Sequence, residues 1–120
     1  MKVELFIPCF VDQLYPETAF NTIKILEKAG CEVSYNPKQT CCGQPAYNAG
    51  YWPDAKEIGN KFLGDFSEDN YIVAPSASCV GMVKNGYNDL FTFFVLFSIL
   101  RVNLFYFFST LCARKFWAEI

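Results

Sequence analysis

The sequence predicts an α/β fold, a three-layer βαβαβ half-domain on a parallel sheet with its cysteines at the carboxyl ends of the strands. Three observations carry this. Short apolar runs are closed by proline, as at Ile7-Pro8 and Ala74-Pro75. Helix-periodic runs lie between them, and strands alternating with helices build βαβ units with right-handed crossovers. A cysteine, or a pair of them, follows each expected strand: Cys9, then Cys41 and Cys42, then Cys79.

Each element has a local reason. Residues 3–7 (Val, Glu, Leu, Phe, Ile) suit a buried strand, and Pro8 ends it because it has no N–H to donate. Pro16 and Glu17 open a helix in which Ala19, Ile23 and Leu26 share one face, Lys24, Glu27 and Lys28 face water, and Gly30 supplies the stop. Residues 31–35 alternate like a second strand until Asn36-Pro37 breaks it. A loop follows, holding Cys41, Cys42, Gly43, Gln44 and Pro45. Pro53 begins another helix that runs to about Phe66, with Ile58, Phe62 and Phe66 at helical spacing. Residues 71–74 form the third strand.

Composition narrows the function. Residues 1–90 carry seven Lys and Arg against eleven Asp and Glu, so no basic stripe is available for nucleic acid. The chain has no histidine, which removes histidine acid–base chemistry and leaves cysteine as the soft ligand. The apolar run at the N-terminus is too short for a signal peptide, so a cytoplasmic location is expected. There clustered cysteines are more often ligands or redox groups than disulfides. No G-x-G-x-x-G fingerprint for a flavin or dinucleotide occurs.

In a parallel α/β sheet, ligands gather at the carboxyl ends of the strands. Cys9, Cys41, Cys42 and Cys79 all fall on that rim, with Gly43 permitting close backbone approach and Ser76, Ser78 and Gly81 as small neighbours of Cys79. These four are the expected thiolate ligands of a metal or cluster. Zinc is the alternative, because four thiolates make a closed tetrahedral site, but its usual paired Cys-x-x-Cys knuckles are missing. An adjacent pair serves two neighbouring irons more readily than one tetrahedral metal, so an iron–sulfur cluster is preferred. Cys31, at the opposite edge of the sheet, and Cys112, in the tail, are expected to be structural or incidental.

Four segments make a dense pattern. They are Phe6, Ile7, Pro8 and Cys9 followed by Val11 and Asp12; then Gly30, Cys31, Glu32 and Val33; then residues 41–51, from Cys41 to Tyr51; and last residues 74–82, from Ala74 to Met82. Together they resemble the first cysteine-rich repeat of the lactate-utilisation protein A family, which is related to the iron–sulfur subunit of glycolate oxidase and the B subunit of heterodisulfide reductase. The resemblance implies a CCG domain over residues 1–90. It implies an iron–sulfur electron-transfer component, with a 4Fe–4S type cluster, of a cytoplasmic complex that oxidises L-lactate to pyruvate with sister subunits. Related repeats close with Cys-x-x-Cys, but Met82 stands where the last cysteine would be. A noncubane cluster of the five-cysteine kind is therefore in question, and a four-thiolate site is expected.

Residues 91–120 depart from the family. They form an apolar aromatic tail, and the second cysteine-rich repeat is not found in it. Residues 92–112 are long enough to span a bilayer as a helix, with Arg114 and Lys115 as an anchor, although Arg101 opposes insertion. Truncation or a frame error is the preferred expectation, because the resemblance stops abruptly. The competing functional expectation is a structural zinc-binding or membrane-associated interaction module without redox activity.

Overall fold

The computed structural model describes residues 1–66, 69–91 and 105–107, the last three by their backbone alone. Strand β1 (Lys2–Leu5) leads through Pro8 into helix α1 (Cys9–Leu14) and helix α2 (Pro16–Lys28), followed by β2 (Glu32–Tyr35). A loop reaches helix α3 (Gln44–Asn48), then α4 (Trp52–Asp65) and β3 (Tyr71–Ala74). A continuous helical run follows, made of α5 (Ala77–Gly81), a π segment (Met82–Gly86) and α6 (Tyr87–Leu90); β4 (Phe105–Phe107) comes last.

The strands lie in the order β2-β1-β3-β4 and every pairing is parallel. In register, Val3 faces Val33 on one side and Tyr71 on the other. The parallel sheet and its covering helices follow the expected α/β architecture. Phe105–Phe107 lie within the stretch expected to be a membrane helix or out-of-frame sequence, and their backbone pairs with β3. The remainder of that stretch, with Cys112, is outside the described residues. Among the described residues no helix is long and apolar enough to cross a membrane.

Strand alternation divides the core in two. Val3, Leu5, Ile7 and Val73 project to the side covered by α1 and α2, where they pack with Val11, Leu26 and Cys31. Phe6, Ile72 and Ala74 project to the other side, against Ala55, Phe62 and Phe66 and against Val80, Val83, Tyr87 and Leu90 of the helical run. The result is three layers. Phe6 meets Phe62 and Phe66 edge-on, with ring centroids 4.9 and 5.9 Å apart. Strand β2 is more exposed than its alternation suggests, with Val33 partly buried and Tyr35 exposed, because it pairs on one side only.

Gly30 ends α2 as expected, and its φ of 75° explains why. The Cys31 amide donates to the Leu26 carbonyl at 3.0 Å and the Gly30 amide to the Glu27 carbonyl at 2.8 Å, the two bonds of a Schellman cap. Cys31, buried in the same cluster as Leu26, takes the place of the apolar residue that commonly completes this cap.

Candidate metal centre

Three chain segments deliver the four thiols to the carboxyl edge of the sheet. Cys9 opens α1 just beyond β1, Cys41 and Cys42 precede α3 in the loop after β2, and Cys79 lies in α5 beyond β3. Because β1, β2 and β3 are parallel, all three exits lie on one edge. Cys9 is exposed, Cys41 half-buried, and Cys42 and Cys79 are buried in the core layer shared with Met82 and Tyr87.

The loop carrying the cysteine pair is tied to β1 by a side chain that the sequence reading passed over. Gln39 accepts a hydrogen bond from the Ile7 amide at 2.6 Å and donates to the carbonyls of Leu5 at 2.9 Å and Asn36 at 3.0 Å. The β1–β2 register ends at Leu5 and Tyr35, so the Gln39 carboxamide takes over as the backbone's partner just past the last paired residue. The loop is thereby held beside the segment that leads into Cys9.

Two further contacts fix the pair. Gly43 has φ 84°, and a Cβ there would lie 3.2 Å from the Ala55 carbonyl oxygen, so the loop can press against α4 at this position only with glycine. The Tyr87 hydroxyl, buried under the loop, donates to the Cys42 carbonyl at 2.9 Å. Tyr87 is a second residue of the site outside the cysteine pattern. Its signal was present, since Val80, Val83, Tyr87 and Leu90 repeat at helical spacing.

The sulfurs approach in pairs. Cys9 Sγ lies 3.6 Å from Cys41 Sγ, and Cys42 contacts both Cys41 and Cys79 through its thiol. The Cys42 thiol donating to Cys41 is the largest influence holding Cys41 down at about 5, assisted by the Gly43 amide 3.4 Å from its sulfur. Cys79 is lowered to about 6, first by the Cys42 thiol and then, against the cost of burial, by the Ser76 and Ser78 hydroxyls. Cys42 itself is pushed far up because its proton is shared between two thiolates. Burial, followed by the neighbouring Cys41, raises Cys9.

Among the described residues, no group of three or more Cys, Asp or Glu side chains is arranged as a ready-made metal cage. The donor set nevertheless fits soft-metal chemistry. The Cys42 thiol holds both Cys41 and Cys79 below the ordinary thiol range, and its own proton is one that a bound cation would replace. Amide and hydroxyl donors already point at the sulfurs, the kind of contact that tunes thiolate-bound iron. Met82 is buried one helical turn after Cys79. Its thioether packs on Gly86, where an added Cβ would come within 2.5 Å of Met82 Sδ.

The arrangement has recognisable relatives. The cysteine-rich domain family CCG matches residues 3–84. Lactate utilization protein A of Halalkalibacterium halodurans is 49% identical over 82 residues, which is 68% of this chain and 34% of that protein. The protein of the same name from Oceanobacillus iheyensis is 49% identical over 84 residues, 70% of this chain and 34% of its own length. Lactate utilization protein A 1 of Bacillus mycoides is 46% identical over 92 residues, 77% of this chain and 37% of that protein. This chain thus spans about a third of the length of these curated relatives. No solved structure matches it. Cysteines gathered from three segments onto one rim, together with a family match over most of the chain, place this protein in the cysteine-rich CCG domain family.

Proposed function

We propose that this chain is an iron–sulfur electron-transfer module in which Cys9, Cys41, Cys42 and Cys79 supply the thiolates. The observation that carries the reading is the convergence of these four thiols from three segments, with Cys42 in contact with both Cys41 and Cys79 and Cys9 3.6 Å from Cys41. When bound, a 4Fe–4S type cluster would supply one-electron redox chemistry. The protein would hold it through the four sulfurs and direct the Gly43 amide and the Ser76 and Ser78 hydroxyls at them. Burial of Cys42 and Cys79 would keep water from the inner side of the site.

The names of the similar proteins support a role in lactate utilisation. We infer that the module relays electrons within a cytoplasmic complex that oxidises L-lactate to pyruvate, together with sister subunits. Anaerobic reconstitution with ferrous iron and sulfide tests the cluster. The expected result is broad visible absorption that bleaches with dithionite and tracks bound iron and sulfide. A colourless protein holding stoichiometric zinc and refusing iron would replace this reading with a structural zinc site.

A further inference from the structure

We propose that Cys9 and Cys41 form a dithiol–disulfide couple, oxidised by low-molecular-weight disulfides in the metal-free chain, and that the resulting crosslink shuts metal out of the site. The exclusion of metal rests on the thiolate-site reading above; the crosslink does not.

Geometry singles out this pair. The two sulfurs are 3.6 Å apart, so closing to a disulfide bond of roughly 2.0 Å requires a movement that side-chain rotation at an exposed helix start can supply. Their approach is held by the backbone. Gln39, two residues before Cys41, is bonded to the amide of Ile7, two residues before Cys9, so the two segments are clamped side by side.

The competing pairs are disfavoured. Cys41 and Cys42 are neighbours in sequence, and consecutive Cα atoms about 3.8 Å apart fall short of the roughly 4.4–6.8 Å that a disulfide usually spans. Cys42 and Cys79 are in contact but buried at 2% and 7% exposure, beyond easy reach of a disulfide reagent. Cys31 is buried in the core layer on the other face of the sheet. Cys9 is exposed and Cys41 half-buried, so a soluble oxidant can reach the first and the second can complete the exchange.

The chemistry balances without other reactants. Cys9, the exposed sulfur, gives up its proton and attacks one sulfur of the reagent disulfide, forming a mixed disulfide and releasing one thiolate. The Cys41 thiolate then attacks the Cys9 sulfur, forming the Cys9–Cys41 bond and expelling the second thiolate. Two protein sulfurs are oxidised and one reagent disulfide is reduced to two thiols, which take up the proton released by Cys9 and a second one from solvent. Two of the four sulfurs of the site are then joined to each other and are no longer thiolate donors.

The test uses the full chain, reduced and stripped of metal, with oxidised glutathione under anaerobic conditions. Intact mass is expected to fall by two hydrogens, and tandem mass spectrometry to place the link between Cys9 and Cys41. Cys41→Ser is expected to stop at a glutathione adduct on Cys9, whereas Cys31→Ser crosslinks like the parent. Zinc added to the oxidised chain is expected to remain free, and a reductant to restore uptake. A dominant Cys41–Cys42 or Cys42–Cys79 link overturns the proposal. So do stable glutathione adducts on both Cys9 and Cys41 without a crosslink, or an oxidised chain that takes up as much zinc as a reduced chain that binds it. A reduced chain that takes up neither zinc nor iron, yet still crosslinks Cys9 to Cys41, refutes the metal-site reading and the exclusion of metal while upholding the couple.

Discussion

The hydroxyl of Tyr87 donates a buried hydrogen bond of 2.9 Å to the carbonyl of Cys42, joining the helical run after β3 to the loop that carries the cysteine pair. Around it, Tyr87 packs edge-on with Phe62 and Phe91 at centroid distances of 5.8 and 5.5 Å. One side chain therefore serves both the core layer and the placement of the site. Tyr87→Phe retains the ring contacts and leaves the Cys42 carbonyl without that donor. The expected cost is about 1–3 kcal/mol in denaturant unfolding of the reduced, metal-free chain, with an unchanged denaturant slope. A loss below the measurement error would mean that water replaces the hydroxyl.

Gln39 is expected to matter more to the site than its place in a loop suggests. Gln39→Ala leaves the Ile7 amide and the Leu5 carbonyl without their side-chain partner. Hydrogen exchange at Ile7 is expected to accelerate strongly, and global stability to fall by about 1–3 kcal/mol. Protection at Ile7 equal to that of the parent chain would contradict the clamp.

Two glycines of α4 are expected to respond in opposite directions to the same substitution. In a helix interior, alanine is ordinarily favoured over glycine by about 1 kcal/mol. At Gly59 a Cβ would lie 2.9 Å from the Phe91 ring, so Gly59→Ala is expected to destabilise by roughly 1–3 kcal/mol through overpacking. At Gly64 no atom lies within 4 Å, and Gly64→Ala is expected to stabilise by up to ~1 kcal/mol. Thermal or denaturant midpoints of the two variants check the contrast, and a Gly59→Ala chain as stable as the parent or more so would refute the close approach of α4 and Phe91.

Ligand roles separate by position on the sheet. Cys41→Ser and Cys42→Ser are each expected to abolish iron binding on reconstitution, because both lie on the carboxyl edge. Cys31→Ser, buried with Leu26 at the far end of α2, is expected to keep most of the iron. Metal analysis of the three variants decides the matter, and equal losses in all three would contradict the assignment.

Much of this protein is legible in its sequence because local chemistry decides it. Strand β3 coincides with residues 71–74, where a β-favouring run meets Pro75, and α2 starts at Pro16 and stops at Gly30 because few other residues suit those backbone angles. The parallel order follows from alternating elements, and the placement of the four cysteines on one rim follows from that order. The short helices α1, α3 and α5 escape such reading, since one or two turns hold too few residues to show a period. The run from Ala77 to Leu90 was legible in part, through the spacing of Val80, Val83 and Tyr87, but the π segment at its centre was not.

What only the tertiary structure decided are the relations between residues distant in the chain. The Gln39 carboxamide finds its partners because β1 and the site loop lie side by side, thirty-two residues separating it from Ile7. The pairing of Cys9 with Cys41, and of Cys42 with Cys41 and Cys79, depends on which way each side chain leaves the rim. Sequence spacing specifies which elements form and which edge carries the thiols. The distances between those thiols come from packing, through Gly43 against α4 and Tyr87 beneath Cys42, where the loop is held by atoms that no local pattern brings together.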